Sequence, residues 1–433
     1  MLRNYWLAMA LTLLSLSAVG QSSHSDMKMP EMNMPGIEDS SDSLISVFEQ
    51  HLSSGTDVEP ISTPREMLMW KKGAWMFMLH GTVFLNEIQQ TGPRGGDKFF
   101  STNWFMPMAQ RKLGGKGVLS LRTMLSLEPA TVSERRYPEL FEQGETAYGR
   151  AIVDGQHPHN LFMEIAAIYD RSLGEKTALT IYAAPVGDPA LGPTAYPHRA
   201  SASENPLAPL GHHLQDSTHI ADDVVTLGIT HRKFRIEASG FHGREPDEYR
   251  WDVDGGKIDS WSTRVSFNPG QNWSLQYSLG QLHSPEALQP NEDVRRMTAS
   301  ISYNRPIRNG NWASLLLWGR NQSLGDGNVG NGYLLESTLQ FALRNALWTR
   351  VENVDRTNEL LLGESPLPAA FSERYFARVQ AYTAGYDREI LSLPHLSAAL
   401  GAQLTGYGVP AQFEPTYGSH PVGIVAFLRL RTR

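Results

Sequence analysis

The feature that most restricts what this chain can become is a series of segments, each roughly ten residues long, in which apolar and polar side chains alternate. Trp273, Leu275, Tyr277 and Leu279 alternate with Asn272, Ser274, Gln276 and Ser278. Trp261, Thr263, Val265 and Phe267 alternate in the same way with Ser260, Ser262, Arg264 and Ser266, and Met297, Ala299, Ile301 and Tyr303 with Arg296, Thr298, Ser300 and Ser302. Successive side chains of a strand point to opposite faces, so each segment offers one apolar and one polar face. A soluble β-sandwich also has short, evenly spaced strands. What separates the two is the connections. Leu113 to Lys116, Gly174-Glu175, Arg232-Lys233, Pro269-Gly270 and Arg308 to Gly310 are tight, and those between them are long. Transmembrane barrels place short turns at one rim and long loops at the other.

The expected fold is therefore all-β: an antiparallel transmembrane β-barrel of about sixteen strands. The strands are expected near 74–90, 98–112, 116–129, 159–172, 176–187, 218–231, 233–243, 258–268, 271–282, 295–306, 310–322, 332–344, 345–356, 371–387, 390–406 and 420–431. The longest loops would be 130–158 and 188–217, with lesser ones at 244–257, 283–294, 323–331, 357–370 and 407–419. The last strand sets Val422, Ile424, Ala426, Leu428 and Leu430 against Gly423, Phe427, Arg429 and Arg431, and it ends without the terminal aromatic usual in such barrels.

Ahead of the barrel (69–433), residues 1–20 read as a cleaved signal peptide: Arg3, an apolar run from Leu7 to Leu16, and small residues closing on Ala18-Val19-Gly20. That run is too short to span a bilayer as a helix, which needs about 20 residues. Residues 21–68, rich in Ser, Asp, Glu, Met and Pro, carry no apolar period and read as a disordered periplasmic arm. The chain has no cysteine, which removes disulfides, thiolate nucleophiles and a lipidated cysteine. A net charge of −7 gives no basic face for nucleic acid.

Three groups of residues are candidate sites. In the arm, His24, Met27, Met29, Met32 and Met34 form HSDMKMPEMNM, and thioethers suit Cu(I) or Ag(I) in a compartment where a thiol would oxidise. In the first strand, Met76, Met78 and His80 lie opposite Trp75, Phe77 and Leu79; they would face the lumen, either continuing a line of soft ligands or filling an irregular interior. Around the long loops stand Asp154, His157 and His159, then His198, then His212, His213, Asp216 and His219. Histidines two apart in extended chain project to one side and can share an ion, yet loop histidines also brace loops by hydrogen bonds. Arg122, Glu164, Arg264, Arg374 and Arg378 are expected to line the pore, and Trp70, Trp75, Tyr169, Trp251, Trp348 and Tyr407 to form interfacial girdles. No G-x-S-x-G elbow, H-E-x-x-H helix or phosphate-binding glycine loop is present, so no enzyme is expected.

The methionine-rich arm resembles that of the copper resistance protein B family. His157 to Glu164 (HPHNLFME) and Gly211 to His219 (GHHLQDSTH) resemble the marks of a Gram-negative outer-membrane β-barrel family without an established reaction. The resemblance implies a barrel in the outer-membrane lipid that handles soft metal ions, copper or silver, received from solution or from periplasmic metal carriers. Two other readings stay open: a general diffusion porin with inward-folded loops, and a surface receptor or adhesin. The oligomeric state is not legible.

Overall fold

The computed structural model describes residues 53–368 and 371–433. The expected signal peptide and the arm residues His24 to Met34 lie outside them.

A short leading strand, Leu68–Lys72, turns back on itself and sixteen barrel strands follow. These are β1 (Trp75–Gln90), β2 (Asp97–Leu113), β3 (Gly117–Leu125), β4 (Phe162–Gly174), β5 (Thr177–Gly187), β6 (Ala221–His231), β7 (Phe234–His242) and β8 (Ser260–Gly270). The second half comprises β9 (Trp273–Leu282), β10 (Val294–Ile307), β11 (Gly310–Ser323), β12 (Val329–Phe341), β13 (Asn345–Thr357), β14 (Tyr375–Ser392), β15 (Leu396–Gly408) and β16 (Val422–Thr432). Each pairs antiparallel with the next, and β16 closes the wall against Thr82–Gln90 of β1. The leading strand covers the remaining edge of β1, Trp75 to Leu79.

Alternation sorts the side chains as a barrel in lipid requires. Leu227, Ile229, Ile236, Trp261, Val265, Tyr277, Ile301, Leu316, Leu335, Val351, Leu400 and Leu404 are exposed on the outer face. Their neighbours on the same strands, among them Thr226, Arg235, Arg264, Ser278, Thr298, Glu336, Arg350 and Gln403, are buried inward.

Three placements differ from the sequence reading. Residues 53–67 do not hang free: Ser54, Thr56, Asp57 and Glu59 are buried in the lumen. Arg374 precedes its strand, and both it and Arg378 are exposed; Arg378 pairs with Asp355 at 2.7 Å on the outer face. β14 begins at Tyr375, and its inward positions are the odd ones, Val379, Ala381 and Thr383, so even-numbered Arg378 points away from the lumen. Trp348 and Tyr407, expected in the girdles, are buried on the inner face, where Trp348 donates to Gln403 and Tyr407 packs on Phe141.

Candidate functional site

The lumen is filled from three directions. Residues 53–67 run through it toward the turn end. Arg122 donates to the carbonyls of Ser53 and Gly55, Ser54 Oγ donates to Asp188 at 2.8 Å, and Arg264 pairs with Asp57. Ser274 Oγ then donates to the Val58 carbonyl, and Ser62 reaches Asn304 and the Gln271 carbonyl near the tight turns. The second and third contributors are the connections 126–161 and 188–220, both folded inward.

Arginines of the wall and of the second loop hold these insertions. Arg199 of the second loop pairs with Asp216 at 2.5 Å and with Glu336 of β12 at 2.8 Å. Arg350 donates to the Leu207 and Ala208 carbonyls, and Arg356 pairs with Glu142 at 3.1 Å. Arg429 and Arg431 of the last strand clasp Glu204. Arg122 and Glu164, 2.5 Å apart, and Arg264 face the lumen, where each also holds the 53–67 segment. An apolar cluster joins Leu140, Phe141, Val153, Leu210 and Leu214 of the loops to Val354, Val379 and Tyr407 of the wall.

The structure brings the loop histidines together. His157 and His159 from the first loop meet His212, His213 and His219 from the second, with ring centroids 5.2 to 6.3 Å apart. Most are braced. His159 Nδ1 lies 2.9 Å from Glu128, His212 Nδ1 lies 2.7 Å from Asp216, and His219 Nδ1 lies 2.8 Å from the Asp216 carbonyl. Asp154 accepts from the Phe141 amide of its own loop and from Arg94 of the β1–β2 connection. His157 Nε2 reaches Glu145 at 2.8 Å. Burial pulls His157, His212 and His213 down to about 4 and His219 well below its ordinary value, so these imidazoles are neutral near pH 7.

A cavity of about 190 Å³ opens below this cluster, lined by His80, Trp104, Met106, Met108, His159 and His198 among others. His80 Nε2 touches Met106 Sδ at 3.2 Å, and His198 Nε2 touches Met124 Sδ at 3.0 Å. Met76 and Met78 share the face of His80 but do not line the cavity. Met106, Met108 and Met124 were missed from sequence, although inward parity on β2 and β3 marks all three. His198 was among the sequence candidates; what parity could not supply was its approach to Met124, made by a loop from another part of the chain.

No family model and no curated protein matches the chain. Solved structures do. OprB of Pseudomonas putida is 8% identical with a TM-score of 0.50, over 83% of this chain and 94% of that one. An anion-selective porin from Comamonas acidovorans is 12% identical, with a TM-score of 0.49 over 82% and 99% of the two chains. The outer membrane channel DcaP of Acinetobacter baumannii is 10% identical, with a TM-score of 0.47 over 83% and 98%. At such identities the likeness establishes the fold alone, a closed antiparallel β-barrel of sixteen strands.

Proposed function

We propose that the chain is an outer-membrane channel for small polar solutes whose passage is narrowed by residues 53–67 and the loops 126–161 and 188–220. The observation that carries this reading is the closed wall itself, with an apolar outer face around a polar lumen that retains a cavity. Its buried Arg122, Arg199, Arg264 and Arg356 are paired with carboxylates, so the interior carries both signs and favours hydrated polar solutes over one class of ion. The two longest loops fold inward, which weighs against a receptor or adhesin working through them. Reconstituted into planar bilayers, the full chain is expected to give discrete conductance steps smaller than those of an unobstructed sixteen-stranded pore. Absence of conductance from both the full chain and a variant lacking residues 53–66 would overturn the reading.

A second reading, handling of Cu(I) or Ag(I), rests on the His80–Met106 and His198–Met124 contacts, two imidazole–thioether pairs beside one cavity. The expected result is Ag(I) uptake that Met106→Leu with Met124→Leu weakens by an order of magnitude or more, read by titration in detergent. Unchanged uptake in that variant removes the lumen from the soft-metal reading.

A further inference from the structure

The two inward loops meet at a point where the bracing described above fails. His213 is 7% exposed, yet neither of its ring nitrogens has a hydrogen-bond partner among the described residues. A buried polar atom left in that state has lost its hydration with nothing in return, so it calls for an explanation. Its Nε2 lies 4.0 Å from Glu145 Oε1, which is itself 2.8 Å from His157 Nε2. The three donor atoms lie within 4.8 Å of one another, the only such group of histidine and acidic side chains among the described residues. Glu142 Oε1, also unpartnered, lies 3.8 Å from the same His213 nitrogen.

Two further features point to a cation. Gly144 lies so close to His213 that a Cβ there would sit 2.8 Å from the ring, so the backbone cradles the imidazole. Gly144 also has φ +114°, a conformation that favours glycine. On the other side of His213 a cavity of about 40 Å³ is lined by Glu245, Glu286 and Glu373, with Arg296 and Arg356. Glu245 Oε1 lies 3.9 Å from His213 Nδ1. These acidic groups share the cavity with the unpartnered His213.

We propose that Glu145, His157 and His213 hold one borderline divalent cation of the zinc class, with Glu142 placed to complete the set, and that the ion fastens loop 126–161 to loop 188–220 inside the barrel. Zinc takes imidazole nitrogen at about 2.0–2.1 Å and carboxylate oxygen at about 2.0–2.2 Å, so its ligand atoms lie roughly 3.3 Å from one another. The separations of 2.8 and 4.0 Å bracket that figure, and shifts of under about 1 Å admit the ion. His157 Nδ1 is directed at the Pro158 carbonyl 2.9 Å away, the kind of partner that fixes which nitrogen is left for a metal. The donor set is nitrogen and oxygen, so it selects differently from the thioether pairs at the lower cavity, and the proposal stands whether or not the barrel conducts.

The test uses the full chain in detergent, stripped with a chelator, then titrated with Zn(II) by calorimetry and with Co(II) by visible absorption. The expected result is one tight site per chain that gives Co(II) bands of low coordination number. His213→Gln, His157→Gln and Glu145→Gln are each expected to weaken it at least as far as the roughly 100-fold reached when an outer partner of a metal ligand is lost. His219→Gln, in the same cluster but outside the trio, is expected to keep the affinity. Heat-modifiable gel mobility checks that each variant is folded; if His213→Gln does not fold, the isosteric Glu145→Gln carries the same comparison. Affinity unchanged within a few-fold in the Gln variants, or no uptake by the full chain, would overturn the proposal.

Discussion

Removing residues 53–66 is expected to raise single-channel conductance several-fold while leaving the barrel folded. The segment is bound by groups that keep other partners after it has gone: Arg122 retains Glu164 at 2.5 Å and Arg264 retains Glu237 at 2.9 Å. Strand pairing in the wall involves none of these residues, so its hydrogen bonds survive the deletion. What disappears is a strand of peptide crossing the lumen from Asp188 and Glu164 down to Gln271 and Asn304. The carbonyls of Ser53 and Gly55 no longer occupy the guanidinium of Arg122, so a shift toward anion selectivity is expected as well. Bilayer recordings of the two proteins side by side make the measurement. Equal conductance would place the limiting constriction in the loops.

The second large effect is expected from Arg199→Ala. This guanidinium, almost wholly buried, joins Asp216 on its own loop to Glu336 on β12. Removing one partner of a buried ion pair leaves charge in a poor solvent and typically costs about 3–5 kcal/mol, far more than the pair gains over apolar packing. Asp216 keeps His212, and Glu336 keeps Ser201 and Arg350, so the loss falls on the loop's attachment more than on the wall. Arg199→Ala is therefore expected to make residues 188–220 sensitive to protease and to lower the denaturation midpoint in vesicles. Arg378→Ala is the contrast: its exposed pair with Asp355 is expected to contribute no more than about 1 kcal/mol. Comparable losses in the two variants would contradict the account of the loop as electrostatically fastened.

The wall was legible in the sequence because a membrane imposes the contrast on which a period of two depends. Lipid on one side and a polar lumen on the other made Trp261, Val265 and Tyr277 stand apart from Ser262, Arg264 and Ser278. The same reasoning explains why residues 53–67 read as a flexible arm. A segment enclosed in a polar lumen needs no apolar face, and its composition matches that of a linker in water. Arg378 was misplaced because its strand turns apolar and small residues inward, Val379 and Ala381, so polarity does not mark the lumen face there. At the histidine cluster, HPH and GHH were visible as ligand types, but Glu145 was not. It enters through a two-stranded ribbon within the first loop, Glu145–Ala147 paired with Arg150–Ile152, whose approach to His213 no spacing encodes.

The clasp of Arg429 and Arg431 on Glu204 also bears on the order in which the molecule comes together. These arginines sit on the strand that closes the wall, and Glu204 belongs to a loop that reaches far down the lumen, where it also accepts from Gln340 close to a tight turn. The clasp needs β16 in place beside β1, so the loop is fastened no earlier than the strand that seals the wall takes its position. Meanwhile Leu68–Lys72 covers part of the waiting edge, shortening the stretch of unpaired backbone that another chain could seize.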